Sequence, residues 1–299
     1  MRYRVTHTTS YTGEEPVSVC HNEARLRPRR LRYQMCRSHE LRTSPEASIL
    51  TWRNDYFGNE VCVFSFNQGY KTLSVTAISD VHLTPHGRAA DDPAPRWEEI
   101  AAQLAARPTE SDLFACEFVY ESPRVRISSK LADYAKASFP PGRSILAAAA
   151  DLTARIHRDF EYDSASTDVN TTVEHAFEQR KGVCQDFAHV QIAALRSMGL
   201  AARYVSGYLR TSPPPGQPRL VGADASHAWL SVYCGPLGWV DVDPTNDLIP
   251  DTDHITIGWG RDYDDVPPLR GVFIGGGHHT LTVGVDVLPE NEEPAADIA

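Results

Sequence analysis

A thiol, an imidazole and a carboxylate can together make a nucleophilic catalytic set, and Cys184, His227 and Asp243 could supply them. In such a set the thiol is the nucleophile. The imidazole takes its proton and later returns it to the leaving amine, while the carboxylate fixes the imidazole's orientation. Cys184 lies in Gly182-Val183-Cys184-Gln185-Asp186-Phe187-Ala188, followed by an apolar run to Met198 and Gly199. The pattern predicts a loop turning into a buried helix with Cys184 in its first turn. There, unpaired backbone N–H groups and the positive end of the helix dipole favour a thiolate over a thiol. A lone cysteine in a helix is also an ordinary small core residue, and the other five (Cys20, Cys36, Cys62, Cys116 and Cys234) read that way.

The base must come from another element. His189 follows Cys184 by five residues, about 140° around a helix, and so points elsewhere. His227 opens an expected strand at 226–234, and Cys234-Gly235-Pro236-Leu237-Gly238 has the residues of a turn into a second strand at 238–243. In that hairpin His227 and Asp243 are direct or diagonal neighbours on one face. Asp241 has the same parity as Asp243, so the hairpin leaves the two carboxylates as rivals. Each residue also has a plain structural reading: His227 as a hydrogen-bonded core histidine, Asp243 as a turn residue before Pro244, Asp186 as an acid in a first helical turn.

Around these groups the chain divides into a β-rich first part and a helical second part. Residues 2–83 alternate as short strands, among them Tyr3-Val5-His7 and Lys71 to Val81, with turns at Asn54–Asn59 and Asn67–Gly69. This predicts a β-sandwich domain over 1–84 with no catalytic constellation of its own; His7, His21, His39 and His82 read as packing or surface residues. A proline-rich linker follows at 84–95. The second domain spans 96–288, with a helical part over 96–199 and a β part over 201–288. Helices are expected from Trp97, from the Ser144 cap to Ile156, from the Thr172 cap to Arg180, and over Cys184 to Met198, with Gly199 as its C-terminal stop. Strands are expected at 202–209, 226–234, 238–243, 254–259 and 280–288. Pro213-Pro214-Pro215-Gly216 predicts an exposed loop, and 289–299 a loose acidic tail.

The composition excludes several function classes. The chain has 299 residues, 41% hydrophobic and 23% charged, as in an ordinary globular protein. Its net charge of −10 argues against nucleic acid as a partner. The basic run Arg25-Leu26-Arg27-Pro28-Arg29-Arg30-Leu31-Arg32 reads as a strand with a solvated face. No Cys-x-x-Cys pair points to zinc or to a disulfide framework. Met1 to Tyr11 lacks the apolar core of a signal peptide, and no apolar run approaches the ~20 residues of a membrane span. The expectation is a cytoplasmic protein with a reduced thiol, no cofactor, no metal and no membrane partner. Asp262-Tyr263-Asp264-Asp265 reads as a solvated loop rather than a calcium site, and His278-His279 as a surface pair.

The quoted segments also carry a resemblance. Gly182 to Ala188, Ala202-Arg203-Tyr204-Val205-Ser206-Gly207-Tyr208, Ser226-His227-Ala228-Trp229, and Gly238-Trp239 with Asp243-Pro244-Thr245 resemble the transglutaminase-like superfamily. Gly260-Arg261-Asp262-Tyr263 and Pro268-Leu269-Arg270-Gly271 extend the resemblance to its bacterial two-domain branch. It implies an α+β fold with a papain-like core. It also implies Cys184 as nucleophile, His227 as general base and acid, and Asp243 rather than Asp241 as the orienting carboxylate. The implied reaction is attack on a peptide or carboxamide carbonyl through a thioester. Hydrolysis, as by a protease or amidase, is expected over transamidation, with a peptide or protein substrate. The alternative is a protein-binding module that keeps the fold without the chemistry. Animal relatives place a tryptophan before the cysteine; residues 160–183 contain none. That leaves Gln185 and Tyr162 as candidates for a second oxyanion donor beside the Cys184 N–H. Trp229 and Tyr208 are core aromatics by type, with a place in the substrate cleft as the other reading.

Overall fold

The computed structural model describes residues 1–167, 170–211 and 225–290; the expected loop at Pro213–Gly216 and the tail beyond residue 290 lie outside them. The first elements are strands β1 (Arg2–Ala24), β2 (Gln34–Ser44), β3 (Ile49–Asn54), β4 (Glu60–Phe66) and β5 (Tyr70–Leu83). Helices α1 (Trp97–Ala106), α2 (Glu110–Cys116), α3 (Ser129–Lys136) and α4 (Ile145–Asp159) follow. Next come β6 (Glu161–Tyr162), α5 (Val173–Gln179), β7 (Lys181–Gly182) and α6 (Cys184–Ser197). The chain then runs through β8 (Ala202–Leu209), β9 (Ala225–Tyr233), β10 (Trp239–Val242), β11 (His254–Gly260), β12 (Leu269–Gly275) and β13 (His279–Pro289).

The β-rich part is one curled sheet rather than two separate ones, and β1 is the reason. Over Arg2–Thr12 it pairs with β5 on one edge and β13 on the other. Near Pro16, which has no N–H for the ladder, the register shifts. From Val17 to Ala24 the same strand pairs with β12 and β4. The two halves enclose Leu26, Phe64, Phe66, Leu73 and Val75. Residues 269–289 therefore complete the N-terminal sheet, although they fall in the stretch expected to be the β part of the second domain. That second sheet is the four strands β10-β9-β8-β11. Tyr3, Val5, Val81 and Leu83 pack on its Tyr208, Ile255 and Ile257, joining the two sheets through a shared apolar layer.

The basic run at 25–32 is not a strand with a solvated face. Pro28 breaks the pattern, and three of the five arginines find partners within the protein, while Arg30 and Arg32 are exposed. Arg25 pairs with Asp55 and Glu23, and Arg27 with Glu60. Arg29 lies 3.6 Å over the Trp259 ring and bonds Asn59.

Helix α6 is buried on nearly every side. Phe187, Val190, Ile192, Ala194 and Leu195 are all within 2% of full burial, and each such large side chain contributes roughly 1.5–3 kcal/mol. The helix packs on α3, α4 and α5 on one side and on β8 and β9 on the other. Its end is a Schellman arrangement: Gly199 at φ 76°, its N–H on the Arg196 carbonyl, and the Leu200 N–H on the Leu195 carbonyl. Buried Arg196 ties that end to the carbonyls of Ala202 and Arg261. Ser144 and Thr172 cap α4 and α5 as their positions predict, accepting the Ala147 and His175 amides.

Candidate active site

Cys184 is the first residue of α6, so its N–H has no acceptor within the helix. The start is fixed by Asp186, whose Oδ2 accepts the Val183 amide at 2.8 Å and the Thr167 hydroxyl at 2.7 Å. Gly182 is required there: a Cβ would sit 2.6 Å from that same oxygen. The residue that reads as a plain first-turn acid is thus the clamp that sets the cysteine's position.

His227 lies on β9, and Asp243 directly follows β10. Val242 stands opposite Leu230, so Asp243 and His227 are diagonal neighbours, one of the two arrangements the hairpin allowed. His227 Nε2 is 2.8 Å from Asp243 Oδ2, and the Cys184 thiol, which lines the same cleft, is near enough to raise the proton affinity of the imidazole. The structure thus brings Cys184, His227 and Asp243 together. Asp241 is occupied elsewhere, accepting the Trp229 indole N–H at 3.0 Å and the Ser231 hydroxyl. His189 is buried against Tyr204. It accepts the Tyr263 amide at 3.2 Å, and burial drives its pKa down to about 3.

Two residues in the cluster have no local signal in the sequence. His254, at the start of β11, places Nε2 2.9 Å from the same Asp243 Oδ2, and Asn246 Nδ2 lies 2.7 Å from it. Oδ1 accepts the amides of Thr245 at 2.9 Å and Asn246 at 3.3 Å. The Asp-Pro-Thr-Asn turn could have revealed those backbone bonds as an Asx-type turn. Nothing marks His254, which reaches Asp243 across β8 and β9. Gly207 makes this possible. Opposite His227 in the ladder, it leaves no room for a Cβ beneath the Trp229 ring, and that ring meets His254 edge-on at 5.2 Å.

An ionised carboxylate only accepts, so His227 carries its hydrogen on Nε2 and leaves Nδ1 as the basic nitrogen for the thiol. Burial opposes charge on His227. The hydrogen bonds and negative charges of Asp243 and Cys184 outweigh that opposition and push its pKa up to about 10. Burial likewise opposes ionisation of Asp243, but its bonds to His227 and His254 and their charge hold the carboxyl well below the usual range. The ligating atoms of His227, Asp243 and His254 lie within 4.8 Å of one another, close enough to consider a metal ion. Their 2.8 and 2.9 Å N···O separations are those of hydrogen bonds, shorter than the about 3.3 Å between two ligands of a tetrahedral zinc.

Cys184 is half-buried and opens, with His227 and Gln185, onto a cleft of about 270 Å³. The opposite wall comes from the N-terminal sheet: His7, Thr9 and Tyr11 of β1, and Leu281 and Val283 of β13. The β-rich first part, expected to hold no catalytic constellation of its own, thus contributes His7, Thr9 and Tyr11 to the cleft. Tyr208 and Trp229 are core residues, 1% and 0% exposed. Tyr162 is exposed and lies within reach of the Cys184 charge, one of the causes that raise its pKa after burial. The acidic run at 262–265 is not a solvated loop: Asp262 is fully buried on the Arg124 amide, Asp264 pairs with Arg124, and Asp265 with Arg261. His278 and His279 are exposed.

Residues 3–82 match the model of the bacterial transglutaminase-like N-terminal region, and residues 133–244 that of the transglutaminase-like superfamily. An uncharacterized protein of Mycobacterium tuberculosis is 41% identical over 296 residues, covering 96% of this chain and 93% of the relative. A protein-glutamine gamma-glutamyltransferase of Pseudomonas aeruginosa is 27% identical over 164 residues, 54% of this chain and 21% of that protein. Among solved structures, a candidate cysteine protease from Cytophaga hutchinsonii shares the fold at a TM-score of 0.74 and 20% identity, covering 98% of this chain and 93% of that one. No helix among the described residues is long and apolar enough to cross a membrane.

Proposed function

The chain belongs to the transglutaminase-like superfamily, and on that premise we propose that it is a thiol-dependent acyl-transfer enzyme, acting chiefly as a protease or amidase. The observation that carries this reading is the Cys184 thiol beside His227 at an open cleft, with His227 hydrogen-bonded in turn to Asp243. The Cys184 proton passes to His227 Nδ1, and the sulfur attacks the carbonyl of a peptide or carboxamide. The Cys184 N–H, at the helix start, stabilises the oxyanion. As the tetrahedral adduct collapses, His227 returns the proton to the departing amine or ammonia, leaving a thioester. Water, deprotonated by His227, then attacks the thioester, releases the acid and restores the thiol. An acceptor amine in place of water gives transamidation, the activity named for the Pseudomonas relative. The half-buried position of Cys184, open to solvent, supports water as the acceptor and counts against a binding module with a blocked cleft. All six cysteines are unpaired, which supports a reducing, cytoplasmic setting.

The test is to trap the acyl group. Incubation with a peptide library should give a Cys184 adduct identifiable by mass spectrometry, and an added primary amine should divert only a minor share of product. Cys184→Ala should lower turnover by about 10⁴-fold or more with an unchanged circular dichroism spectrum. Turnover that survives this substitution would remove the thiol from the chemistry.

A further inference from the structure

On the N-terminal side, the cleft wall is a ladder of cross-strand pairs that opens like a wedge. His7 stands opposite Val285, Thr9 opposite Val283, and Tyr11 opposite Leu281. The first pair is sealed, His7 and Val285 each 1% exposed. His7 is locked there by the Tyr208 hydroxyl at 3.1 Å and Thr9 Oγ1 at 2.9 Å. Two and four residues toward the open end, Val283 and Leu281 are 50% and 52% exposed, although they face a cavity that also holds Cys184 and His227. Two large apolar side chains left half-open beside a reactive thiol are not satisfied by packing. Apart from the Cys184–His227 pair, the rest of the lining is uncharged. In a chain of net charge −10, no Asp, Glu, Lys or Arg among the described residues lines this cleft. A charged substrate side chain would be desolvated there without a partner.

We infer that Leu281, Val283 and Tyr11 form a substrate subsite that takes an uncharged, apolar side chain flanking the reactive carbonyl of an extended peptide. This deepens, and rests on, the acyl-transfer reading of Cys184. The first and last strands of the N-terminal sheet thereby set which peptides the thiol meets, while the core supplies the chemistry. A pocket that gains or loses an aliphatic side chain discriminates by about 10–200-fold, so the preference for leucine over lysine or glutamate in the flanking position should be at least about tenfold.

Rates of covalent labelling at Cys184 test this without turnover. The probes are two sets of peptides with Leu, Lys or Glu beside the electrophile: peptidyl chloromethyl ketones, and peptides with 6-diazo-5-oxonorleucine in place of glutamine. Expected is a leucine preference of about tenfold or more in at least one set. In Leu281→Asp/Val283→Asp that preference should collapse and the lysine probe should gain. Both positions are already half-exposed, so the fold should tolerate the change, and the iodoacetamide rate at Cys184 reports separately on an intact thiol. Equal rates for the three probes in both sets, a charged preference in the wild type, or a leucine preference that survives the double substitution would each overturn the subsite. If the preference holds while no peptide is ever turned over, the subsite stands and the acyl-transfer reading falls.

Discussion

Two buried histidines line the same cleft and behave in opposite ways. His7 and His227 are 1% and 7% exposed, and each sits on a strand. Among the described residues His7 has only hydroxyl partners, Thr9 and Tyr208, and burial pushes its pKa down to about 4. His227 meets the same penalty, but the Asp243 carboxylate and Cys184 reverse it. Burial alone makes an imidazole a neutral structural piece; burial with a fixed anion makes it a charged reagent. The cleft therefore has one wall built to carry a proton and one built to carry none.

The largest test removes the difference. Asp243→Asn keeps the shape but takes away the anion, so His227 should come to resemble His7. Activity should fall by about 10²–10⁴-fold, and the alkaline limb of kcat/KM should move down from near pH 10 by more than about one unit. A limb that stays in place would mean that Asp243 does not set the proton affinity of His227.

His254 sharpens the contrast, because it shares Asp243 Oδ2 with His227. His254→Leu should lower kcat by about tenfold, since losing a hydrogen bond to a charged group costs about 1.5–3 kcal/mol. His254→Gln, which can still donate to that oxygen, should recover most of it. Equal losses in both variants would reduce His254 to packing.

The smallest effect concerns stability. A histidine held neutral in the fold binds its proton more readily when unfolded. Its contribution is complete above pH 6.5 and is lost as pH falls toward 4. His227 runs the other way, its contribution complete below pH 6.5 and lost as pH rises through about 10. His7→Phe should therefore lower stability at pH 7 by about 1–3 kcal/mol, because the Tyr208 hydroxyl loses its partner. It should also flatten the decline in unfolding free energy between pH 6.5 and 4, as followed by urea titration. An unchanged slope would show that His7 is protonated in the fold.

What could be read in advance was local. The Cys184 helix start, its Gly199 stop, the Ser144 and Thr172 caps and the 226–243 hairpin each depend on residues within a few positions of one another. The carboxylate was less legible: Asp241 and Asp243 share parity, and what separates them is that Trp229 and Ser231 already occupy Asp241. Contacts between distant strands left no trace. His254 meets Asp243 across two intervening strands, and Arg25, Arg27 and Arg29 look solvated in any window that omits Asp55, Glu60 and Trp259. The second wall of the cleft was hidden for the same reason, since periodicity shows that 280–288 is a strand but not that it lies beside residues 3–13.

That pairing sets an order of assembly. Arg4 meets Leu288, and Gly13 meets His279, so β1 waits for β13. Closing so long a loop comes late, because its entropy must be lost before the contacts return anything. A nascent chain that has emerged as far as Gly260 already holds Cys184, His227, Asp243 and His254, but not Leu281 or Val283. The chemical half of the cleft can thus be built on the ribosome well before the half that faces it, and β13 closes the two together.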